Sequence, residues 1–240
     1  MKINLWFSLA VFAAGSLFAA DSNPKSDVLS AAAALGNETN YTWQATVVVP
    51  ADSQFKPGPT DGKTEKDGYT TLTFSFGDND TEAVTKGTNG AVKTEDGWKS
   101  LAEAMKADGN GGFNPTMFIA RMVQNYKTPA AEAASLANAA TALTAGTNGI
   151  SGDLTEAGAK ELLAFRRRGN GGNSPTVTNP KGSVTFWLAD GKLVKYQFHV
   201  AGTVSFNGND RDVDRTTTVE IKDVNVTKID VADDAKKKLE

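Results

Sequence analysis

The stretch from Lys192 to Phe206 reads KLVKYQFHVAGTVSF, and its parity decides the fold. Val194, Tyr196, Phe198, Val200, Val204 and Phe206 fall on one side, while Lys195, Gln197, His199, Thr203 and Ser205 fall on the other. That two-residue period is the mark of a sheet with one dry and one wet face. At roughly 3.3 Å per residue the strand would span about 50 Å. This is far beyond an ordinary strand, so the sheet must bend, and Ala201-Gly202 offers the place. Asn207-Gly208 reads as a hairpin turn into an equally long partner, Asp212 to Lys222, continued by Val224 to Val231. On the other side, Val184, Phe186 and Leu188 alternate with Ser183, Thr185 and Trp187 and run into the turn Asp190-Gly191.

The N-terminal third has the same period. Tyr41, Trp43, Ala45, Val47 and Val49 alternate with Thr42, Gln44 and Thr46 until Pro50 stops the strand. A meander follows: Thr60 to Glu65, the turn Lys66-Asp67-Gly68, then Thr70, Leu72, Phe74 and Phe76 on one face against Tyr69, Thr71, Thr73 and Ser75. Further strands are predicted over 81–86 and 91–93. Between the two sheet regions the period becomes helical. Helices are predicted from Ser26, as N-cap, to Leu35; from Lys99 to Ala107; from Pro115 to Tyr126; from Pro129 through an alanine-rich run; and from Thr155 to Arg168. Glycine-rich runs at 109–112 and 169–172 flank these helices, the second inside a loop predicted over 169–181. A short terminal helix ends in Lys236-Lys237-Lys238. Long one-sided strands need apolar cover, and the central helices are what this chain has to supply it. The expected fold is α+β: a large curved antiparallel sheet, or half-barrel, with helices packed on its concave face.

Residues 1–20 have the layout of a secretory signal, with Lys2 ahead of an apolar stretch and small residues before Asp21. The expectation is an exported protein, periplasmic or extracellular, whose single mature domain is 21–240 and keeps no membrane span, since no other segment approaches membrane length. With no cysteine, the chain has neither disulfides nor thiolate metal ligands. The formal net charge of −3 lacks the basic face that nucleic acid demands, so nucleic acid is not expected as a partner.

The start, a signal followed by a short helix, resembles the outer-membrane lipoprotein carrier superfamily, which also contains the LppX- and LprG-like glycolipid-binding proteins. So do three other segments: Ile150-Ser151-Gly152-Asp153-Leu154-Thr155 running into Glu156 to Phe165, the strand pair Gly182 to Phe206, and the ending from Thr216-Thr217-Thr218-Val219-Glu220-Ile221 to Asp234-Ala235-Lys236. The resemblance implies a half-barrel with a helical lid and an apolar cavity for acyl chains, and it brings no catalytic residues to carry over. The missing lipid-anchor cysteine departs from the LppX-like members.

No catalytic residue, metal site or cofactor is expected, and the chain does not read as an enzyme. His199, the one histidine, lies on the wet face without a nameable partner for a triad or a metal. Asp210, Asp212 and Asp214 superficially suggest a calcium loop, but Arg215 stands where the loop needs glycine and Ile221 where it needs an acid. Arg166, Arg167 and Arg168 are candidates for holding an anionic headgroup, and equally suit a helix C-terminus. The candidate ligand-facing set is Trp43, Leu72, Phe74, Phe76, Phe186, Leu188, Tyr196, Phe198 and Phe206 on the sheet, with Phe118, Met122 and Tyr126 on a helix above it. Two functions fit: binding or carrying a lipid or lipoprotein acyl chain, or acting as a structural or interaction protein of the cell envelope, with a filled core and envelope proteins as partners.

Overall fold

Asn23, rather than Ser26, opens the first helix. In the computed structural model, which describes residues 23–53, 56–77, 79–106, 114–164 and 175–240, α1 runs from Pro24 to Asn37. The Asn23 side chain accepts from the amides of Lys25 and Ser26, and Pro24 takes the first helical position, where its missing N–H costs nothing.

A six-strand meander follows: β1 (Asn40–Val48), β2 (Thr60–Glu65), β3 (Thr70–Phe76), β4 (Asn79–Lys86), β5 (Asn89–Thr94) and β6 (Gly97–Ser100). β6 replaces the start of an expected helix. Only after Ser100 does α2 (Leu101–Met105) begin, on a capping box in which Ser100 Oγ accepts from the Glu103 amide and Glu103 accepts from the Ser100 amide. α3 (Pro115–Gln124) and α4 (Pro129–Ala139) each start on a proline, capped by the side chains of Asn114 and Thr128. Then come β7 (Thr144–Gly146), β8 (Gly149–Asp153), α5 (Glu156–Leu163, capped by Thr155), β9 (Thr176–Ala189), β10 (Lys192–Phe206), β11 (Asn209–Lys222) and α6 (Asp233–Lys237).

Four further expectations are corrected. Residues 176–181, assigned to a loop, belong to β9 and pair with β10 at Thr176↔Ser205, Val177↔Val204 and Thr178↔Thr203. β11 starts at Asn209, directly after the turn, because Asn207 and Gly208 both take positive φ and reverse the chain in two residues. Val224 to Val231 forms no strand; Asp223 and Asn225 are left-handed, which turns the chain out of the sheet. Finally, the register shifts between Leu193 and Lys195, so Leu193 is 3% exposed and Val194 38% exposed, the reverse of the alternation read from Tyr196 onward. A second shift, between Ala201 and Thr203, falls at the expected bend.

The eleven strands among the described residues form one antiparallel sheet in the order β6-β5-β4-β3-β2-β1-β11-β10-β9-β8-β7. The fold is the α+β half-barrel, curved and unclosed. Because β6 and β7 are opposite edges, the chain between them must cross the full width of the sheet, and it does so as α2, α3 and α4. Helices α1, α3, α4 and α5 bury Val28, Leu35, Ile119, Val123, Leu136 and Leu163 in one cluster with Leu72, Phe186, Tyr196 and Val200 of the sheet. A smaller core lies on the other face of β4 and β5, where Val84 and Ala91 meet Val231, Ala235 and Leu239 of the C-terminal segment. The three lysines of that segment are paired rather than free: Lys236 with Asp233, Lys237 with Asp234 and Lys238 with Glu103. The Lys238 ammonium brings the Glu103 carboxyl down to about 2.

Candidate functional site

Eleven of the twelve candidate side chains meet beneath the helices. Trp43, Leu72, Phe74, Phe186, Tyr196 and Phe198 are buried, while Phe76, Leu188, Phe118, Met122 and Tyr126 are half-buried and packed against them. Phe206, half-buried at the tip of β10, is not a member of this cluster. Phe76 and Phe118 meet edge to face with centroids 6.2 Å apart, and Phe186 and Tyr196 are tilted at 6.4 Å.

Trp43 forms the centre of a layered arrangement. Its cross-strand neighbour on β2 is Gly62, and a Cβ built there would lie 2.1 Å from the indole Cε2, so the ring rests directly on the glycine backbone. The other face of the indole stacks on Tyr126 at 5.8 Å and 13°. Its Nε1 donates to Thr64 Oγ1 at 3.1 Å, and Thr70 Oγ1 donates to the same oxygen at 3.4 Å. These polar groups sit on the dry side; Thr64 and Thr70 are each 5% exposed.

Parity does not reveal how many polar groups gather here. Tyr196 Oη donates to Glu132 Oε2 at 2.6 Å, tying α4 to the middle of β10. Burial pushes the Glu132 carboxyl above the usual carboxylate range, against the opposing pull of the Tyr196 hydroxyl and the positive charges of Lys127 and Arg215. Glu132 keeps some surface as a residue, but its carboxyl is enclosed by protein atoms. Burial first, and then the Glu132 charge, raise Tyr196 well above its ordinary value. Tyr41 and Tyr126 are raised as well, chiefly by burial. The Tyr126 hydroxyl is buried and makes no hydrogen bond of good geometry. A sequence signal for Glu132 exists: it precedes Ala133 and lies four residues before Leu136, beside the apolar stripe of α4.

Arg215 reaches from β11 to α5, donating from Nη2 to the carbonyl of Leu162 at 2.8 Å. This is a cation satisfying an orphan carbonyl at a helix C-terminus. Arg166, Arg167 and Arg168, to which that role was also assigned, lie outside the described residues.

On the opposite face the acids are spread out. His199 Nε2 is 3.0 Å from Asp214 Oδ1, Asp212 accepts from Thr203 at 2.7 Å, and Asp80 accepts from Ser75 at 2.7 Å. Among the described residues no three potential metal-ligating side chains come together. A groove of about 260 Å³ on this face is lined by Thr42, Gln44, Asp61, Lys63, Thr71, Thr73 and Lys222 alongside the Trp43–Gly62 pair. Among the described residues no helix is long and apolar enough to cross a membrane.

No family model matches the chain, and no curated protein matches it. Solved structures are similar to it, among them the following three. They include the groups that the sequence resembles. One is the Mycobacterium tuberculosis lipoprotein LppX, with TM-score 0.47 and 12% identity over 87% of this chain and 98% of that one. Another is LprF from Mycobacterium bovis, with TM-score 0.45 and 10% identity over 88% and 97%. The third is a LolA superfamily protein from Nitrosomonas europaea, with TM-score 0.36 and 7% identity over 87% and 96%.

Proposed function

We propose that this is an exported, non-catalytic protein that binds or carries a lipid or lipoprotein acyl chain between the sheet and helices α2 to α4. One observation carries the reading: the chain must lay its helices across the whole apolar face to travel from β6 to β7. Four apolar side chains packed against that core, Phe76, Phe118, Met122 and Leu188, stay only half-buried. A lid of this kind separates from a sheet by giving up side-chain packing and a few hydrogen bonds such as Tyr196–Glu132, since the ladders within helix and strand stay intact. Export rests on residues 1–20, and intact-mass measurement of the protein from its own envelope should find a mature N-terminus within a few residues of Asp21; a mass that includes Met1 removes this part of the reading.

The second reading, an envelope interaction protein with a filled core, is favoured by the depth of burial at the centre, where Phe186, Tyr196 and Val200 are each 0% exposed. Titration with the uncharged probe N-phenyl-1-naphthylamine separates the two. For a carrier, the probe binds saturably, and Ala120→Trp or Val200→Trp, at two positions buried beneath the helices, cuts its affinity by about tenfold, equivalent to about 1.4 kcal/mol. In a filled core the probe does not bind, and the same substitutions cost about 1 to 3 kcal/mol of stability through overpacking.

A further inference from the structure

The proposed ligand face is not purely apolar. At its centre converge the hydroxyls of Thr64 on β2, Thr70 on β3, Tyr41 on β1 and Tyr196 on β10, with Tyr126 and Thr128 from the α3–α4 junction and the Glu132 carboxyl from α4. Most of these groups have partners: Thr64 accepts from Trp43 and Thr70, Tyr196 donates to Glu132, and Thr128 Oγ1 accepts from the Ala131 amide. Tyr126 Oη lies close to Thr64 and Thr70 but, although buried, makes no hydrogen bond of good geometry with either. Leaving such a hydroxyl unmade in the interior costs about 1–3 kcal/mol, so a buried polar atom kept in this condition needs an explanation.

We infer that Tyr126 Oη, flanked by Thr64 and Thr70, is a polar subsite for an uncharged oxygen-bearing group, an ester or hydroxyl, attached to an acyl chain held under the helices. The inference rests on the proposed lipid-binding function and adds the chemistry of the ligand. Hydroxyls both donate and accept, so they match an ester carbonyl or an alcohol equally well. A free carboxylate is disfavoured, because the Glu132 carboxyl faces the same space. The charges near Glu132, Lys127 and Arg215, belong to its own neutralisation. The stack of Tyr126 on Trp43 and the hydrogen bond from Trp43 to Thr64 hold the subsite in place before any ligand arrives.

The test is displacement of N-phenyl-1-naphthylamine by monododecanoylglycerol and by dodecane, from the wild type, Tyr126→Phe and Thr70→Val. The wild type should bind the glyceride about tenfold more tightly than the alkane, and Tyr126→Phe, which keeps the ring and the stack, should lose about 3- to 10-fold for the glyceride and nothing for the alkane. Thr70→Val should lower the same ratio. The melting temperature of empty Tyr126→Phe should equal or exceed that of the wild type, since the variant removes an unmade hydrogen bond. An unchanged glyceride-to-alkane ratio in both variants, with probe binding intact, overturns the subsite and leaves the lipid-binding function standing. A melting temperature lowered in Tyr126→Phe also overturns it, because the hydroxyl then has a structural partner such as a buried water. Absence of probe binding in the wild type overturns the lipid-binding function and the subsite together.

Discussion

Gly62→Ala is expected to destabilise the protein by about 3 kcal/mol, although alanine ordinarily improves on glycine within a strand by about 0.5–1 kcal/mol. The sign is reversed by contact. A Cβ at Gly62 would stand 2.1, 2.2 and 2.6 Å from Cε2, Cζ2 and Nε1 of Trp43, distances no relaxed pair of atoms adopts. The indole cannot simply lift, because Tyr126 is stacked on its far face and Nε1 is engaged with Thr64. Making room therefore gives up a buried hydrogen bond, about 1 kcal/mol, and an aromatic pair, about 0.5–1.5 kcal/mol, besides the strain itself. For a chain of this size the melting temperature should fall by about 6–12 °C. The cause is checked in a Trp43→Leu background, where the same Gly62→Ala change should cost less than about 1 kcal/mol, a coupling of about 2 kcal/mol between residues in contact. Equal costs in the two backgrounds would remove the indole from the explanation.

The Gly62–Trp43 pair shows what kind of information the sequence carries. That Trp43 faces inward is legible from its alternation with Thr42 and Gln44, and that Thr70, Leu72 and Phe74 share the dry face is legible too. That a glycine on the next strand receives the indole depends on the register Trp43↔Gly62, which is set by the long loop between β1 and β2 and has no local signature. The short edge strands β6 and β7, four and three residues long, are too brief to display a period, and Lys99 and Ser100 of β6 read as the start of a helix. Asn179-Pro180 reads as a turn, yet sits inside β9, where a register shift opposite Gly202 accommodates it. The Leu193–Lys195 bulge inverts the face assignment of Val194 alone, which alternation cannot anticipate. Whether a face that alternates cleanly also gathers polar groups from several elements is a property of topology. Tyr41, Thr64, Tyr126, Glu132 and Tyr196 come together because β1 is the meeting point of the two halves of the sheet and α4 crosses over it.

Glu132 gives that cluster a pH dependence. Its folded-state affinity for a proton is raised by burial, so the folded protein holds more protons than the unfolded chain above the ordinary glutamate range near 4.5. Stability from this group is therefore undiminished below about pH 4.5 and is lost as pH rises through the folded value. Facing it are Tyr196 from β10, Arg215 from β11, Lys127 from the turn before α4, and Tyr126. His199 lies on the opposite face with Asp214 and is common to wild type and variant. Glu132→Gln keeps an oxygen to accept from Tyr196 and removes the ionisation. Urea unfolding should show the wild type losing stability from pH 5 to pH 8 relative to this variant, with the variant at least as stable at pH 8. Tyr196→Phe is the complementary change. It takes away the 2.6 Å hydrogen bond and leaves the carboxylate buried without that donor, which should cost about 2 kcal/mol at pH 8 and less at pH 5, where the carboxyl is protonated more often. If Glu132→Gln leaves the pH slope unchanged, or costs more than about 1 kcal/mol at pH 8, then Glu132 is held as a stabilised anion. In that case α4 is fastened to β10 by charge, and the lid becomes harder to lift at neutral pH than at acid pH.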